Sequence, residues 1–175
     1  MLPLAEQKHD DAIAPRTYFA ATEVVLRKIA RLPPADVLAI PLAWLLIGTS
    51  AALIRLVPFA RLARLLGSPL GAVSYMPMID ENQLRRARFV RRTIWRAVMI
   101  APFRADCYPQ AMTAAVLCRL LRIPAATHFG VRLASPGKAE MSAHAWTVAG
   151  PIPICGGHAF RDYDVLSCFL LNQPH

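Results

Sequence analysis

A chain of 175 residues with 55% hydrophobic content is long enough to bury one packed core, so a single compact unit is expected. Its 20 Lys and Arg outnumber its 11 Asp and Glu, and the resulting formal charge of +9 favours anionic partners. Nucleic acid is disfavoured among these partners, because the arginines are not interleaved with exposed aromatic residues and no nucleic-acid-binding motif is present.

The cysteines are spread along the chain without a close pair, at Cys107, Cys118, Cys155 and Cys168. Residues 1–11 are polar and contain acids, so no secretory signal is visible and a reducing cytoplasm is expected, where thiols stay free. Zinc sites normally need close pairs of Cys or His at both ends, and Cys155 with His158 is the one close pair in the sequence. We therefore expect neither a metal nor another cofactor.

The N-terminal part divides into a flexible tail, residues 1–16, and a helical layer, residues 17–79. Apolar residues at helical spacing predict a first helix over Thr17–Leu32, which ends at a pair of prolines.

The rest of this layer is strongly apolar. Val37–Leu66 predicts two helices broken near Gly48 or Pro58, and Leu70–Ile79 predicts a connection. Val37–Ile54 has no charged residue and approaches the length of about 20 apolar residues that crosses a bilayer. Two interpretations stay open for it: a hairpin buried against the rest of the protein, which is favoured because the length is marginal, and a membrane-embedded segment. We accordingly expect a cytoplasmic protein, with peripheral membrane contact through residues 37–66 as the alternative.

Residues 80–175 predict a core that begins with an arginine-rich helix. Acidic residues at its start favour a helix from Asp80 to about Met99. Its arginines recur at intervals of three and four and form a basic stripe, Arg85, Arg88, Arg92 and Arg96. Like charges at this spacing repel, so the stripe needs solvent or an anionic partner. A solvated face is the commoner use of such a stripe, and a docking surface for peptide, nucleotide or acidic lipid is the sharper hypothesis.

The fold class predicted for this core is α+β. Small and apolar residues over Cys107–Leu121 indicate a buried helix. Beyond it the apolar period changes from helical to two-fold, which predicts a small antiparallel sheet of four strands: Ala126–Leu133, Ser142–Val148, Ile152–Cys155 and Tyr163–Leu171.

Cys107 is the candidate nucleophile. Asp106 is expected to cap the helix, which puts Cys107 in the first turn, where unpaired backbone N–H groups and the helix dipole stabilise an anion. The same N–H groups can hold the oxyanion of an acyl intermediate. The alternative is a buried small hydrophobe, the commonest role of a free cysteine, and Cys118 in mid-helix fits that role.

His144 is the candidate general base, on a strand among small residues. A cysteine at a helix start followed by a histidine on a later strand is a recurring arrangement for acyl transfer. If the turn after this strand is centred on Gly150, His144 lies opposite Gly156, which has no side chain to orient the ring. The orienting partner is left open between a backbone carbonyl, a water, Asp162 and Asp164.

Three segments carry a resemblance to a known family: FRADCYPQA at 103–111, LLRIPA at 120–125 with GVR at 130–132, and AHAW at 143–146. In this order and spacing they resemble the lasso-peptide leader peptidases, and in particular the C-terminal peptidase domain of microcin-processing proteins. Members of this family are similar in fold to the transglutaminase-like cysteine proteases. The resemblance covers residues 80–171, and the apolar helical lead-in over 19–67 is also similar.

The resemblance implies a papain- or transglutaminase-like core in which a nucleophile helix packs on a small antiparallel sheet. It implies a cysteine peptidase, with Cys107 and His144 as catalytic residues, that removes the leader from a ribosomally made precursor. The family's third catalytic residue, an Asp, falls on Gly156, so the chain departs from the pattern there. The implied partners are the precursor peptide, a separate leader-recognition protein and an ATP-dependent lasso cyclase. The alternative is a catalytically impaired scaffold or peptide-binding subunit of the same maturation complex.

Overall fold

The computed structural model describes residues 34–101, 105–133, 141–157 and 162–171, with Leu133 described by its backbone alone. The predicted tail and first helix lie outside the described residues. The chain divides into two compact units after Val37, and the second unit, which begins at Leu38, carries the sheet and the candidate site.

Four helices are described: α1 Pro34–Leu56, α2 Phe59–Leu66, α3 Glu81–Met99 and α4 Cys107–Leu120. Of the two predicted breaks in the apolar segment, the structure has the one at Pro58, because proline lacks the N–H donor and disfavours helical backbone before it. At the start of α3, the Asp80 side chain accepts from the Gln83 backbone N–H, and the Gln83 side chain accepts from the Asp80 backbone N–H. This capping box begins α3 where the sequence predicted a helix start.

The strands are β1 Ser68–Gly71, β2 Ala125–Leu133, β3 Met141–Ala149, β4 Ile152–Cys155 and β5 Asp164–Leu171. They form one antiparallel sheet in the order β1-β5-β2-β3-β4. All four predicted strands are present, and the predicted α+β class is confirmed. The segment predicted as a connection starts inside β1, which adds an edge strand to β5.

The helices cover one face of the sheet. The Thr147 hydroxyl of β3 lies 3.5 Å from the Ala111 carbonyl oxygen of α4, so this side of β3 faces α4. An aromatic cluster of edge-to-face and tilted rings joins α2 and α4 to β2 and β5 on the same side, formed by Phe59, Tyr108, Phe129 and Phe169. Because side chains alternate along a strand, His144 and Trp146 lie on the other face.

Burial of the apolar helix α1 is confined to one side. Ile40, Ala43 and Ile47 are buried, whereas leucines at helical spacing are exposed on the opposite side: Leu38, Leu42, Leu45, Leu53 and Leu56. The helix is long and apolar enough to cross a membrane by length and composition, and 22% of its most apolar window is buried. A buried hairpin therefore explains the buried side of α1, but it does not explain why the leucine side is exposed.

Candidate active site

The first residue of α4 is Cys107, and its side chain is half-buried. Asp106 occupies the N-cap position in extended backbone, but its side chain makes no capping hydrogen bond, so that detail of the prediction is wrong. Asp106 instead supplies its carbonyl oxygen to the Gln110 backbone N–H at 3.3 Å. The helix start thus leaves first-turn N–H groups without a side-chain cap, and such groups can hold an anion at this end of a helix.

The other three cysteines differ sharply from Cys107 because all are buried. Burial raises the pKa of Cys118 to about 12 and that of Cys155 to about 12, and it raises the pKa of Cys168 to about 11. These thiols stay protonated at neutral pH and have little nucleophilic character. Electrostatic repulsion from Cys107 contributes to the raised pKa of Cys155, so the head of α4 lies near the end of β4.

His144 is half-buried on β3, and its ring is held from one side. Its Nε2 lies 2.9 Å from the Gly156 carbonyl oxygen. A carbonyl can only accept, so Nε2 carries the hydrogen and donates it, and in the neutral ring Nδ1 keeps a free lone pair. The ring also packs against Trp146 at 5.9 Å and against Tyr163 at 5.0 Å between centroids. These contacts orient the imidazole with Nδ1 as its basic atom.

Gly156 has no room for a side chain. Its φ is +87°, and a Cβ at this position would clash with the Trp146 Cβ. The Asp that the resemblance implies at this position therefore cannot be accommodated without displacing β3, and the backbone carbonyl is the group that this position offers to His144. Of the orienting partners that the sequence left open, the structure has the carbonyl.

The predicted register of this hairpin is wrong. Thr147 is opposite Cys155, and an irregularity in the pairing between Thr147 and Val148 shifts the residues beyond it. Gly156 is consequently beside Trp146 rather than opposite His144. The His144 ring nevertheless bonds to the Gly156 carbonyl, although the two residues are not directly opposite each other. A regular hairpin register predicted from the turn does not show this contact.

The two aspartates considered for the third role lie elsewhere. Asp162 is paired with Arg132 at 3.9 Å on an exposed surface, and Asp164 is exposed at the start of β5, opposite Val131. Among the described contacts, neither aspartate is hydrogen-bonded to His144. The ring of His144 has the Gly156 carbonyl as its partner.

Cys107 and His144 approach the same end of β4 from different sides. Cys107 lies near Cys155, and the next residue, Gly156, holds His144. In the described part of the chain, no hydrogen bond joins the Cys107 thiol to the His144 ring. Since β4 ends at Cys155, β3 has no described strand partner on that side at the level of His144.

Two depressions border this corner. A groove of about 450 Å³ lies between α1 and the head of α4, lined by Gly48, Ala51, Arg55, Asp106, Tyr108 and Pro109 among others. A smaller pocket of about 140 Å³ lies between α3 and the end of β4, and Arg91, Trp95, Gln110 and Gly156 are among its lining residues. Within the described ranges, no group of three or more His, Cys, Asp or Glu side chains is placed to hold a metal ion.

The sequence did not indicate a role for His128, which packs against Trp146, the neighbour of His144. His128 is buried on β2 opposite Trp146 and stacks on that indole at 5.2 Å with an interplanar angle of 8°. Its Nε2 accepts from the Tyr75 backbone N–H at 3.1 Å, and burial lowers its pKa. The signal that was available is the shared side of β2 and β3, because His128 and Trp146 are cross-strand neighbours once the register is known.

Comparison with known proteins supports the fold. A family model described as the transglutaminase-like superfamily matches residues 53–168, which is most of the chain. Neither a curated protein nor a solved structure matches. The chain therefore belongs to the transglutaminase-like superfamily, whose fold is typical of cysteine proteases.

Proposed function

We propose that this protein is a cysteine peptidase that removes the leader peptide from a ribosomally made lasso-peptide precursor. A separate leader-recognition protein delivers the precursor, and an ATP-dependent cyclase closes the ring of the released core. Membership of the transglutaminase-like superfamily supports the peptidase class. The three motif segments that resemble the leader peptidases support the particular substrate.

The hydrogen bond from His144 to the Gly156 carbonyl carries the proposal, because it leaves the ring with Nδ1 as a base. In the reaction, Nδ1 takes the proton of the Cys107 thiol, and the sulfur attacks the carbonyl carbon at the leader–core junction. The first-turn N–H groups of α4 stabilise the oxyanion. The imidazolium then protonates the leaving amine, and water hydrolyses the thioester to regenerate the thiol.

A backbone carbonyl can replace the family's Asp in orienting the ring, but it carries a dipole instead of a full negative charge. The imidazolium formed during attack is therefore stabilised less than it would be by a carboxylate. We expect slower acylation than in a Cys-His-Asp enzyme. Because α4 and His144 lie on opposite faces of the sheet, the proposal requires Cys107 and His144 to meet around the end of β4, where β3 has no described strand partner. Substrate binding is expected to bring them together, as catalytic hydrogen bonds often tighten in the substrate complex.

The test is cleavage of the precursor by the purified full chain with the leader-recognition protein, followed by mass spectrometry. Cleavage at one junction is expected, and Cys107→Ala should abolish it. Cys118→Ala is the matched control on the same helix and should retain cleavage. Cleavage that survives Cys107→Ala would show that the nucleophile is wrongly assigned.

A second candidate function is a non-catalytic scaffold or peptide-binding subunit of the same maturation complex. Two observations favour it. Position 156 has no carboxylate, and among the described contacts no hydrogen bond joins the Cys107 thiol to the His144 ring. If this candidate is right, Cys107→Ala will mature the precursor as well as the unaltered protein does. Deletion of the protein from the reconstituted mixture will nevertheless block maturation.

The proposal includes a cytoplasmic location with peripheral membrane contact through residues 37–66. The exposed leucines of α1 and the exposed Arg55, Arg61 and Arg64 that follow them support it, since apolar and cationic groups together suit an anionic lipid surface. Co-sedimentation with phosphatidylglycerol vesicles tests it. Replacing Leu38 and Leu42 with Gln should lower the bound fraction, and equal binding by this variant would contradict the contact.

A further inference from the structure

The exposed face of α3 runs toward the candidate active site. Its residues follow one another at intervals of three and four and are Arg85, Arg88, Arg92, Trp95 and Met99. The first three positions are cationic and the last two are apolar. Trp95 is 63% exposed and Met99 is 67% exposed, although both side chains are of types that usually bury much of their surface. We call this surface the α3 face.

Its charge is not neutralised by the residues that the structure describes. Among the described residues, Arg88, Arg91 and Arg92 form no ion pair with a carboxylate, whereas Arg85 bonds to the Asn82 side chain. The sole acid within α3 is Glu81, in its first turn. Like charges one turn apart repel one another, so an anionic ligand bound along the α3 face would relieve this repulsion.

The apolar end of the α3 face opens into the small pocket. Arg91 and Trp95 line this pocket from α3, Gln110 lines it from α4, and Gly156 lines it from the end of β4. Gln110 belongs to the first turn of the helix that Cys107 begins, and Gly156 holds His144. A chain that follows the arginines and places a side chain beside Trp95 is therefore led to both candidate catalytic groups.

We infer that the α3 face binds an acidic stretch of the substrate peptide, with an apolar side chain of that peptide seated against Trp95 in the pocket. This inference rests on the proposed peptidase function and adds a substrate preference to it. The carboxylates of the peptide lie along Arg88 and Arg92. The apolar residue then sets the register between the peptide and the head of α4.

An extended peptide fits these observations better than the other anionic partners do. A lipid surface is flat and cannot follow a contact that descends into a pocket between α3 and β4. Single-stranded nucleic acid binds through successive stacked bases, and the α3 face has one aromatic side chain. A peptide supplies both acidic groups for the arginines and a single side chain for the pocket.

The experiment measures binding by fluorescence anisotropy of a fluorescein-labelled twelve-residue peptide that is rich in Glu and contains one central Leu. The full chain carrying Cys107→Ala is used, so that binding is read without cleavage. We expect a double variant, Arg88→Glu with Arg92→Glu, to weaken binding by about tenfold, because it reverses complementary charges. The matched control is Arg61→Glu with Arg64→Glu on α2, which makes the same charge change on another exposed surface. The control should change affinity by less than about threefold.

The apolar end is tested separately. Trp95→Ala should weaken binding of the peptide by about fivefold, and Trp95→Phe should restore most of the affinity, because the ring supplies the contact surface. Replacing the central Leu of the peptide with Gln should have the same effect as Trp95→Ala, and the two changes should not be additive.

Three outcomes would overturn the inference. Equal weakening by the α2 control would mean that net charge and not the α3 face attracts the peptide. Unchanged binding by the α3 variants would remove the surface from the site. Tighter binding of phosphatidylglycerol vesicles or of single-stranded DNA, with the same sensitivity to the α3 variants, would assign the face to those partners. Failure of the proposed function is separate from these outcomes, since it appears as intact binding without cleavage.

Discussion

Two histidines on the same side of the sheet have opposite hydrogen-bonding states. His144 is half-buried and donates from Nε2 to the Gly156 carbonyl, so its Nδ1 is free to accept a proton. His128 is buried and accepts at Nε2 from the Tyr75 N–H, so its hydrogen is on Nδ1, which has no hydrogen-bond partner among the described residues. Trp146 lies between them and stacks on both rings.

The difference teaches that the partner of one ring nitrogen decides what the other nitrogen can do. A carbonyl partner at Nε2 leaves Nδ1 of His144 with the free lone pair that a general base needs. An N–H partner occupies the Nε2 lone pair of His128 in the buried ring, which makes His128 a structural residue that fixes Trp146 and the Tyr75 segment. Burial lowers the pKa of His128, in agreement with this role.

The largest expected effect separates the two histidines by activity. His144→Ala should lower the rate of precursor cleavage by about a thousandfold or more, since general acid–base catalysis contributes on that scale. His128→Gln retains an acceptor near the Tyr75 N–H and should lower the rate by less than about tenfold, in line with a positioning role. Single-turnover cleavage followed by mass spectrometry measures both. Equal losses in the two variants would contradict the comparison.

Alkylation by iodoacetamide gives the next largest effect. At pH 7.5 Cys107 should react at least about a hundredfold faster than the three buried cysteines, whose raised pKa values leave almost no thiolate. His144→Ala should slow labelling of Cys107, and His128→Gln should leave it unchanged. Peptide mapping of the alkylated protein reads out each site, and uniform labelling of all four would refute an activated Cys107.

A pair of glycine variants tests the carbonyl that distinguishes His144. Gly156→Ala introduces a Cβ that meets Trp146, at a positive φ, and should lower the free energy of unfolding by about 2–4 kcal/mol as well as cleavage. Gly157→Ala is the matched control, because Gly157 also has positive φ but its Cβ would meet nothing within 4 Å. The control should cost about 1 kcal/mol. Urea unfolding and cleavage assays compare the two, and Gly156→Asp is expected to behave like Gly156→Ala instead of rebuilding a triad.

The smallest expected effect is on the pH dependence of stability. The pKa of His128 is lower in the folded protein than in the unfolded chain, so the unfolded chain binds the proton more readily. The contribution to stability is therefore complete above the ordinary histidine pKa of about 6.5 and is lost as the pH falls toward the folded value. His128→Gln should flatten this loss between pH 7.5 and 5.5, measured as urea midpoints. His144→Gln serves as the control and should keep it.

Much of the fold follows from local pattern. The capping residues of α3, the head of α4 at Cys107 and all four strands of the C-terminal sheet lie where the sequence predicts them, because helix caps and two-fold apolar alternation act over a few residues. The contribution of β1 to the sheet was not predicted, since Ser68–Gly71 is a short segment of exposed residues with no apolar alternation. Its place depends on β5, which is distant in sequence.

The amino-acid sequence by itself determined which residue types are available for acyl transfer: a cysteine at a helix start, a histidine on a later strand and a glycine where the resemblance to leader peptidases implies an Asp. Tertiary structure alone decided what holds the histidine. An irregularity in the pairing of β3 and β4 brings Gly156 beside Trp146 and its carbonyl within 2.9 Å of His144 Nε2. Strand register depends on how side chains from separate segments pack together, so a local pattern of residues cannot specify it.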